Sequence, residues 1–157
     1  MVDCYSLKRK TDTRRIKKRS LKTILIIEDE VEIRSFIARV LQLEGYSARE
    51  AGDGITGMEI IRENPIDLVL LDLRLPGPDG WSVLREIKRD PELAGIPVVV
   101  LTAIAETMQR RKTLRMGATS YLIKPLSARS LSLAIADILR EKSHPYQTVQ
   151  KQASGAN

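Results

Sequence analysis

The chain has 157 residues, 43% apolar and 29% charged, enough for one domain with a sizeable core and short of the length at which two become the expectation. No apolar run nears the roughly 20 residues that cross a bilayer, the single cysteine Cys4 excludes an internal disulfide, and the single histidine His144 cannot by itself build a metal site or a triad. The charge of +6 is uneven: residues 1–22 hold nine basic against two acidic residues, giving +7, so the other 135 carry −1.

Residues 1–22 therefore read as a basic, flexible arm. No apolar stretch of signal-peptide length follows it, which points to a cytoplasmic protein. Its basic clusters, from Lys8 to Lys22, suit nucleic acid or an acidic protein through counterion release. Only Tyr5 interleaves them and no groove-reading motif is present, so a solvated tail or an over-extended translation start is the plainer reading.

From Thr23 onward apolar runs alternate with stretches of helical periodicity. The first run, Ile24–Ile27, precedes a helix with Ile33, Phe36, Ile37, Val40 and Leu41 at 3.6-residue spacing and Gly45 placed to end it. A weaker strand follows around Tyr46 to Ala51, then a shorter helix marked by Met58, Ile60 and Ile61 that stops before Pro65. Leu68–Leu71 is the next strand, and Val83, Leu84 and Ile87 mark the third helix. Val98–Leu101 precedes a fourth helix over Thr107 to Met116, stopped by Gly117. Tyr121–Ile123 precedes a fifth that opens at the N-cap Ser127 and carries Leu131, Ala134, Ile135, Ile138 and Leu139 on one face.

The four stronger strands lack polar alternation, as central strands covered on both faces do. Five βα units in succession predict an α/β fold, a doubly wound parallel sheet with function at the carboxyl ends of its strands. After about Lys142 the chain turns polar and aperiodic, and residues 143–157 read as a disordered tail.

Those carboxyl ends carry the chemistry. Strand one ends in Glu28, Asp29 and Glu30, and strand three ends in Asp72. If the two strands are adjacent, three carboxylates converge and repel, and a hard cation with oxygen ligands relieves them; Mg²⁺ fits, because it keeps waters and leaves room for phosphate oxygens. The bland alternative is that these acids cap the following helices, which suits Glu30 but not Asp72, since Leu73, Arg74, Leu75, Pro76 and Gly77 form a loop after it. Thr102 and Lys124 end the remaining two strands, supplying a hydroxyl and a cation, and Pro125 makes the Lys124–Pro125 bond a cis candidate. Lys124 is placed to pair with Asp72 or with a phosphate oxygen.

In order and placement, Glu28 with Asp29, Asp72, Thr102, Ala103, Tyr121 and Lys124 with Pro125 resemble the signature of the receiver domain of two-component response regulators. The resemblance covers about residues 23–142. It implies a flavodoxin-like (βα)5 sheet of strand order 2-1-3-4-5, and a phosphoryl group passed from a histidine kinase or histidine phosphotransfer protein to Asp72. It further implies Mg²⁺ held by Asp29, Asp72 and the Arg74 backbone carbonyl, with Glu28 acting through a metal-bound water. Thr102, the Ala103 backbone and Lys124 would bind the phosphoryl oxygens. Thr102 and Tyr121 would form a switch acting through helix four, strand five and helix five on a downstream protein, the chain being monomeric or dimerising on phosphorylation. Arg74 and Ile104 occupy positions that in such domains influence phosphate lifetime.

Taken singly, Thr102 is an ordinary strand threonine and Tyr121 a half-buried aromatic; the joint pattern makes them site residues. Arg110, Arg111, Lys112 and Arg115 give helix four a basic face, either solvated or suited to an acidic partner. Only about 15 residues follow helix five, so a stand-alone receiver, as in chemotaxis regulators, is expected, with a fragment of a larger regulator as the alternative. A phosphohydrolase of the haloacid dehalogenase type also uses a strand-end aspartate with Mg²⁺, but needs an acid where this chain has Arg74. The expectation is a signalling module and not a turnover enzyme.

Overall fold

Three unbroken apolar runs set the centre of the molecule. In the computed structural model, which describes residues 21–103 and 106–143 with side chains through Arg140, they form β1 (Thr23–Ile27), β3 (Leu68–Asp72) and β4 (Val98–Thr102). The basic arm through residue 20, Ile104, and the tail from His144 lie outside the described residues. With β2 (Ser47–Ala51) and β5 (Ser120–Ile123) they make one parallel sheet of order β2-β1-β3-β4-β5. The helices are α1 (Val31–Leu43), α2 (Gly54–Glu63), α3 (Gly80–Arg89), α4 (Thr107–Arg115) and α5 (Ala128–Ser143). Among the described residues no helix is long and apolar enough to cross a membrane.

Successive strand residues point to opposite faces, so each apolar run feeds two cores. Ile24, Ile26, Leu68, Leu70, Val99 and Leu101 pack with Ile37 and Leu41 of α1 and Leu131 and Ile135 of α5. Leu25, Ile27, Val69, Leu71, Val98 and Val100 pack with Met58 and Ile61 of α2 and Val83, Leu84 and Ile87 of α3. All twelve strand residues are fully buried, which explains the missing polar alternation.

One strand departs from what its apolar run suggests, while keeping the edge place that the expected strand order gives it. Tyr121–Ile123 reads like the central runs, yet β5 is an edge strand whose residues are only half-buried, with Ile123 42% exposed. Tyr121 packs against one core and Leu122 against the other, and only Ile123 is left largely open.

The helix ends follow their local chemistry. Asp53 and Asp79 cap α2 and α3 by accepting from the Thr56 and Ser82 amides, each at 2.8 Å, and Ser127 caps α5 by accepting from the Ser130 amide at 3.0 Å. Gly45, at φ +85°, follows α1 in the left-handed conformation that ends helices. Glu30 occupies the N-cap position of α1 but makes no side-chain cap hydrogen bond; instead its amide donates to Glu28 Oε1 at 3.2 Å. The side-chain capping expected of Glu30 is therefore not made.

Gly80 fixes the distance between α3 and the end of β3. Its amide donates to the Leu73 carbonyl at 3.1 Å, and a Cβ there would overlap the Asp72 carbonyl oxygen and lie 2.5 Å from the Leu73 Cα. Both obstacles are backbone and cannot rotate aside. Gly80→Ala is expected to cost about 3 kcal/mol in urea unfolding followed by circular dichroism, an overpacking penalty; a loss under about 1 kcal/mol would mean that the loop yields freely.

Candidate functional site

Parallel register delivers the polar strand ends to one edge. Ile27 of β1 pairs with Leu71 of β3, so Glu28 and Asp72, the next residues, leave adjacent strands at the same level. Asp72 in turn pairs with Leu101, one residue before Thr102, and Thr102 pairs with Ile123, one residue before Lys124. The Lys124 amide closes this edge by donating to the Thr102 carbonyl at 2.7 Å.

Glu28, Asp29 and Asp72 each bring a carboxylate oxygen to within 4.8 Å of the others. Glu28 is fully buried, Asp72 is 3% exposed, and Asp29 faces solvent. The Lys124 ammonium lies between the two buried acids, 2.7 Å from Glu28 Oε2 and 3.2 Å from Asp72 Oδ2. Its approach to Glu28 is an ion pair without hydrogen-bond direction, which leaves Oε2 a buried oxygen lacking a hydrogen-bond partner. The pairing of Lys124 with Asp72 was expected; the pairing with Glu28 was not.

Asp72 is held at both oxygens, Oδ1 accepting from the Arg74 amide at 3.0 Å and Oδ2 from Lys124. The Arg74 side chain is exposed. Thr102 is 8% exposed at the end of β4, and Ala103 follows it at the surface. Tyr121 is half-buried on β5, its ring covered by Arg110 of α4. The Lys124–Pro125 bond is cis.

One supporting residue escaped the sequence reading. Arg34 of α1 donates to the Glu28 carbonyl at 2.7 Å and to the Asp29 carbonyl at 3.5 Å, and pairs with Glu50 at 3.3 Å. It tethers the acidic loop to α1 and β2. Only its position one turn into the helix after the acidic pair hinted at this.

Burial pushes the Glu28 carboxyl up to about 7 from 4.5, opposed by Lys124 and reinforced by the charge of Asp72. Burial alone would lower Lys124, but the pairing with Glu28 and the field of Asp72 outweigh it and hold Lys124 above its ordinary value. Because Glu28 is raised in the folded state, its contribution to stability is complete below about pH 4.5 and is lost as pH rises through about 7. Asp53 and Asp79, lowered chiefly by the Thr56 and Ser82 amides, act at lower pH, and Lys124 at higher. Metal-free protein in urea is expected to lose about 3 kcal/mol between pH 5 and pH 8, with Mg²⁺ restoring most of it at pH 8. A flat profile in chelator would contradict the raised Glu28.

Residues 24–136 match the family described as the response regulator receiver domain. The chain belongs to that family. The phosphate regulon transcriptional regulatory protein PhoB of Pseudomonas aeruginosa is 40% identical over 119 residues, covering 76% of this chain and 52% of the relative. The DNA-binding dual master transcriptional regulator RpaA of Synechocystis is 35% identical over 117 residues, 74% of this chain and 48% of the relative. The chain thus spans about half the length of these curated relatives. Among solved structures, a CheY-like receiver domain protein from Methanospirillum hungatei superposes with a TM-score of 0.74 at 29% identity, covering 79% of this chain and 98% of that one.

The fold is therefore the flavodoxin-like receiver fold, with the strand order expected of it. Response regulators of this family are signalling modules that interact with histidine kinases and downstream targets. The acidic cluster is of a kind that can bind a metal.

Proposed function

We propose that this receiver domain accepts a phosphoryl group on Asp72 in a Mg²⁺-dependent reaction and uses it to switch the binding of a partner. The observation that carries the proposal is the convergence of a buried carboxylate, Asp72, with two further acids and one partly buried ammonium at a single sheet edge. The metal fits the donor set: three acidic oxygens lie within 4.8 Å of one another with Lys124 as the cation between the two buried acids, a charge excess that one hard cation would offset. Asp29, Asp72 and the Arg74 carbonyl would hold it, with Glu28 reaching it through a water. When bound, Mg²⁺ supplies neutralisation of the charge on the phosphoryl oxygens.

The chain's own groups do the rest. The ionised Asp72 attacks phosphorus in line, forming an acyl P–O bond as the donor's P–N bond breaks; the leaving imidazole keeps that electron pair and takes up a proton. Lys124 turns from the carboxylates to a phosphoryl oxygen, and the Thr102 hydroxyl and Ala103 amide bind others. Thr102 moving toward the phosphoryl group vacates space into which the Tyr121 ring turns, changing the surface of α4, β5 and α5. Output then depends on how differently partners bind the two states.

Incubation with Mg²⁺ and acetyl phosphate, in which acetate is the leaving group, tests this. Intact mass should show one added phosphoryl group, labile to hydroxylamine and absent in chelator, on the peptide containing Asp72. No adduct from acetyl phosphate or from any histidine kinase would end the proposal; steady release of phosphate from many phosphoesters would favour a phosphohydrolase.

One observation favours a second reading of the output. The similar curated proteins are named transcriptional regulators and are about twice as long, so the chain is also suited to be the receiver part of a DNA-binding regulator. An immunoblot of the native protein decides: a band near 17.6 kDa supports a stand-alone receiver acting through α4, β5 and α5 or the basic arm, and one near twice that mass the longer regulator.

A further inference from the structure

Helix α4 is seated unlike the other described helices. Of its nine residues only Thr113 is buried, and the Thr113 hydroxyl is turned back on its own helix, donating to the Gln109 carbonyl at 2.8 Å. Its apolar residues point outward, Met108 at 75% and Leu114 at 40% exposure. By contrast α3, of similar length, buries Val83, Leu84 and Ile87. A helix with so little buried apolar surface lies at the low end of local stability unless something else holds it.

Two cation–ring contacts flank it. Residues two apart on an α-helix lie roughly 200° around its axis from each other, so Arg110 and Lys112 leave α4 on opposite flanks. Each flank offers a ring. The Arg110 guanidinium carbon is 4.8 Å from the centroid of Tyr121 on β5, and the Lys112 ammonium is 4.3 Å from that of Trp81 on α3. Both distances fall within the roughly 6 Å at which a cation is attracted to a ring face.

We infer that Arg110 and Lys112 are positioning residues for the switch: they clip α4 between Trp81 and Tyr121, so that Tyr121 cannot turn inward without freeing one end of the helix. The inference rests on the reading of Tyr121 as the switch residue. Its physical content is a coupling. The inward ring forfeits Arg110 while Lys112 keeps Trp81 and Thr113 stays buried, so loss of Arg110 removes a contact made only with the ring outward and biases the domain toward the inward state before any phosphoryl group arrives, whereas loss of Lys112 loosens α4 in both states. One contact of this kind at an exposed site is worth a factor of about two to five in such an equilibrium, and the pair about tenfold in the loosening of α4.

The test uses the full chain carrying Arg110→Met, Lys112→Met or both, which keep the aliphatic stems, alongside the charge-retaining Arg110→Lys and Lys112→Arg. Amide hydrogen exchange of residues 107–115 without any phosphoryl donor should quicken about two- to fivefold in each methionine variant and about tenfold in the double variant. The charge-retaining variants should stay near wild type. Emission of Trp81, the one tryptophan in the chain, should change in Lys112→Met and not in Lys112→Arg. The beryllofluoride concentration giving half-saturation with Mg²⁺ should fall about two- to fivefold in Arg110→Met and stay near wild type in Lys112→Met. Unchanged exchange in the double variant, or methionine and charge-retaining variants behaving alike, overturns the inference. If the wild type fails to respond to beryllofluoride, the phosphoacceptor reading of Asp72 fails, and the exchange data alone still decide whether the clips hold α4.

Discussion

Asp72→Asn is expected to abolish the acyl-phosphate adduct entirely while leaving the fold in place. The amide has no ionised oxygen to attack phosphorus, and the other buried carboxylate at this edge, Glu28, faces Lys124 at 2.7 Å and is pushed up to about 7. The fold survives because the change is isosteric and two opposed effects meet. Lys124 loses a partner at 3.2 Å but keeps Glu28 at 2.7 Å, while one of three mutually repelling charges disappears. Stability should stay within about 1 kcal/mol of wild type, because Lys124 remains paired with Glu28 and no buried charge is left without a counter-ion. Intact-mass analysis after acetyl phosphate, paired with urea unfolding, separates the outcomes. A persistent adduct at Asp72→Asn would place the acceptor elsewhere.

Lys124→Met should do the reverse, harming fold and chemistry together. Its ammonium is the cation lying between Glu28 and Asp72, both nearly inaccessible to water. Removing one side of a buried pair leaves uncompensated charge, a loss of about 3–5 kcal/mol. The loss should be smaller at pH 5.5 than at pH 8, because Glu28, already raised to about 7 beside Lys124, rises further without it and takes up a proton. Phosphorylation by acetyl phosphate should slow by about 10²–10³, the usual effect of deleting one donor to a developing anion. Equal destabilisation at both pH values would mean that Glu28 is not the group left exposed by the loss of Lys124.

The ease with which this chain can be read varies from one element to the next for physical reasons. β1, β3 and β4 are legible because a strand buried on both faces tolerates only apolar residues, and the interruptions at Glu28, Asp72 and Thr102 then stand out. β5 is not fully legible: three apolar residues in a row look the same at an edge as in the middle, and only strand order reveals that Ile123 is exposed. The role of Gly80 was invisible because it depends on how closely α3 approaches the Asp72 carbonyl, which no local pattern records. The Glu28–Lys124 contact was missed for a related reason. Its partners are far apart in sequence, and the extra methylene of glutamate becomes meaningful only when the depth of the pocket is known. The seating of α4 was the least legible, since Lys112 and Trp81 belong to different helices and a basic run reads first as a solvated face.

The closing of the sheet edge by the Lys124 amide on the Thr102 carbonyl also has a meaning for biosynthesis. The acceptor's surroundings are gathered from residue 28 to residue 124, and a ribosome releases them in that order. If Asp72 is the acceptor proposed above, a nascent chain that has exposed Asp72 but not β5 would hold it without the Lys124 counter-ion. Competence would then arrive only once β5 has joined the sheet.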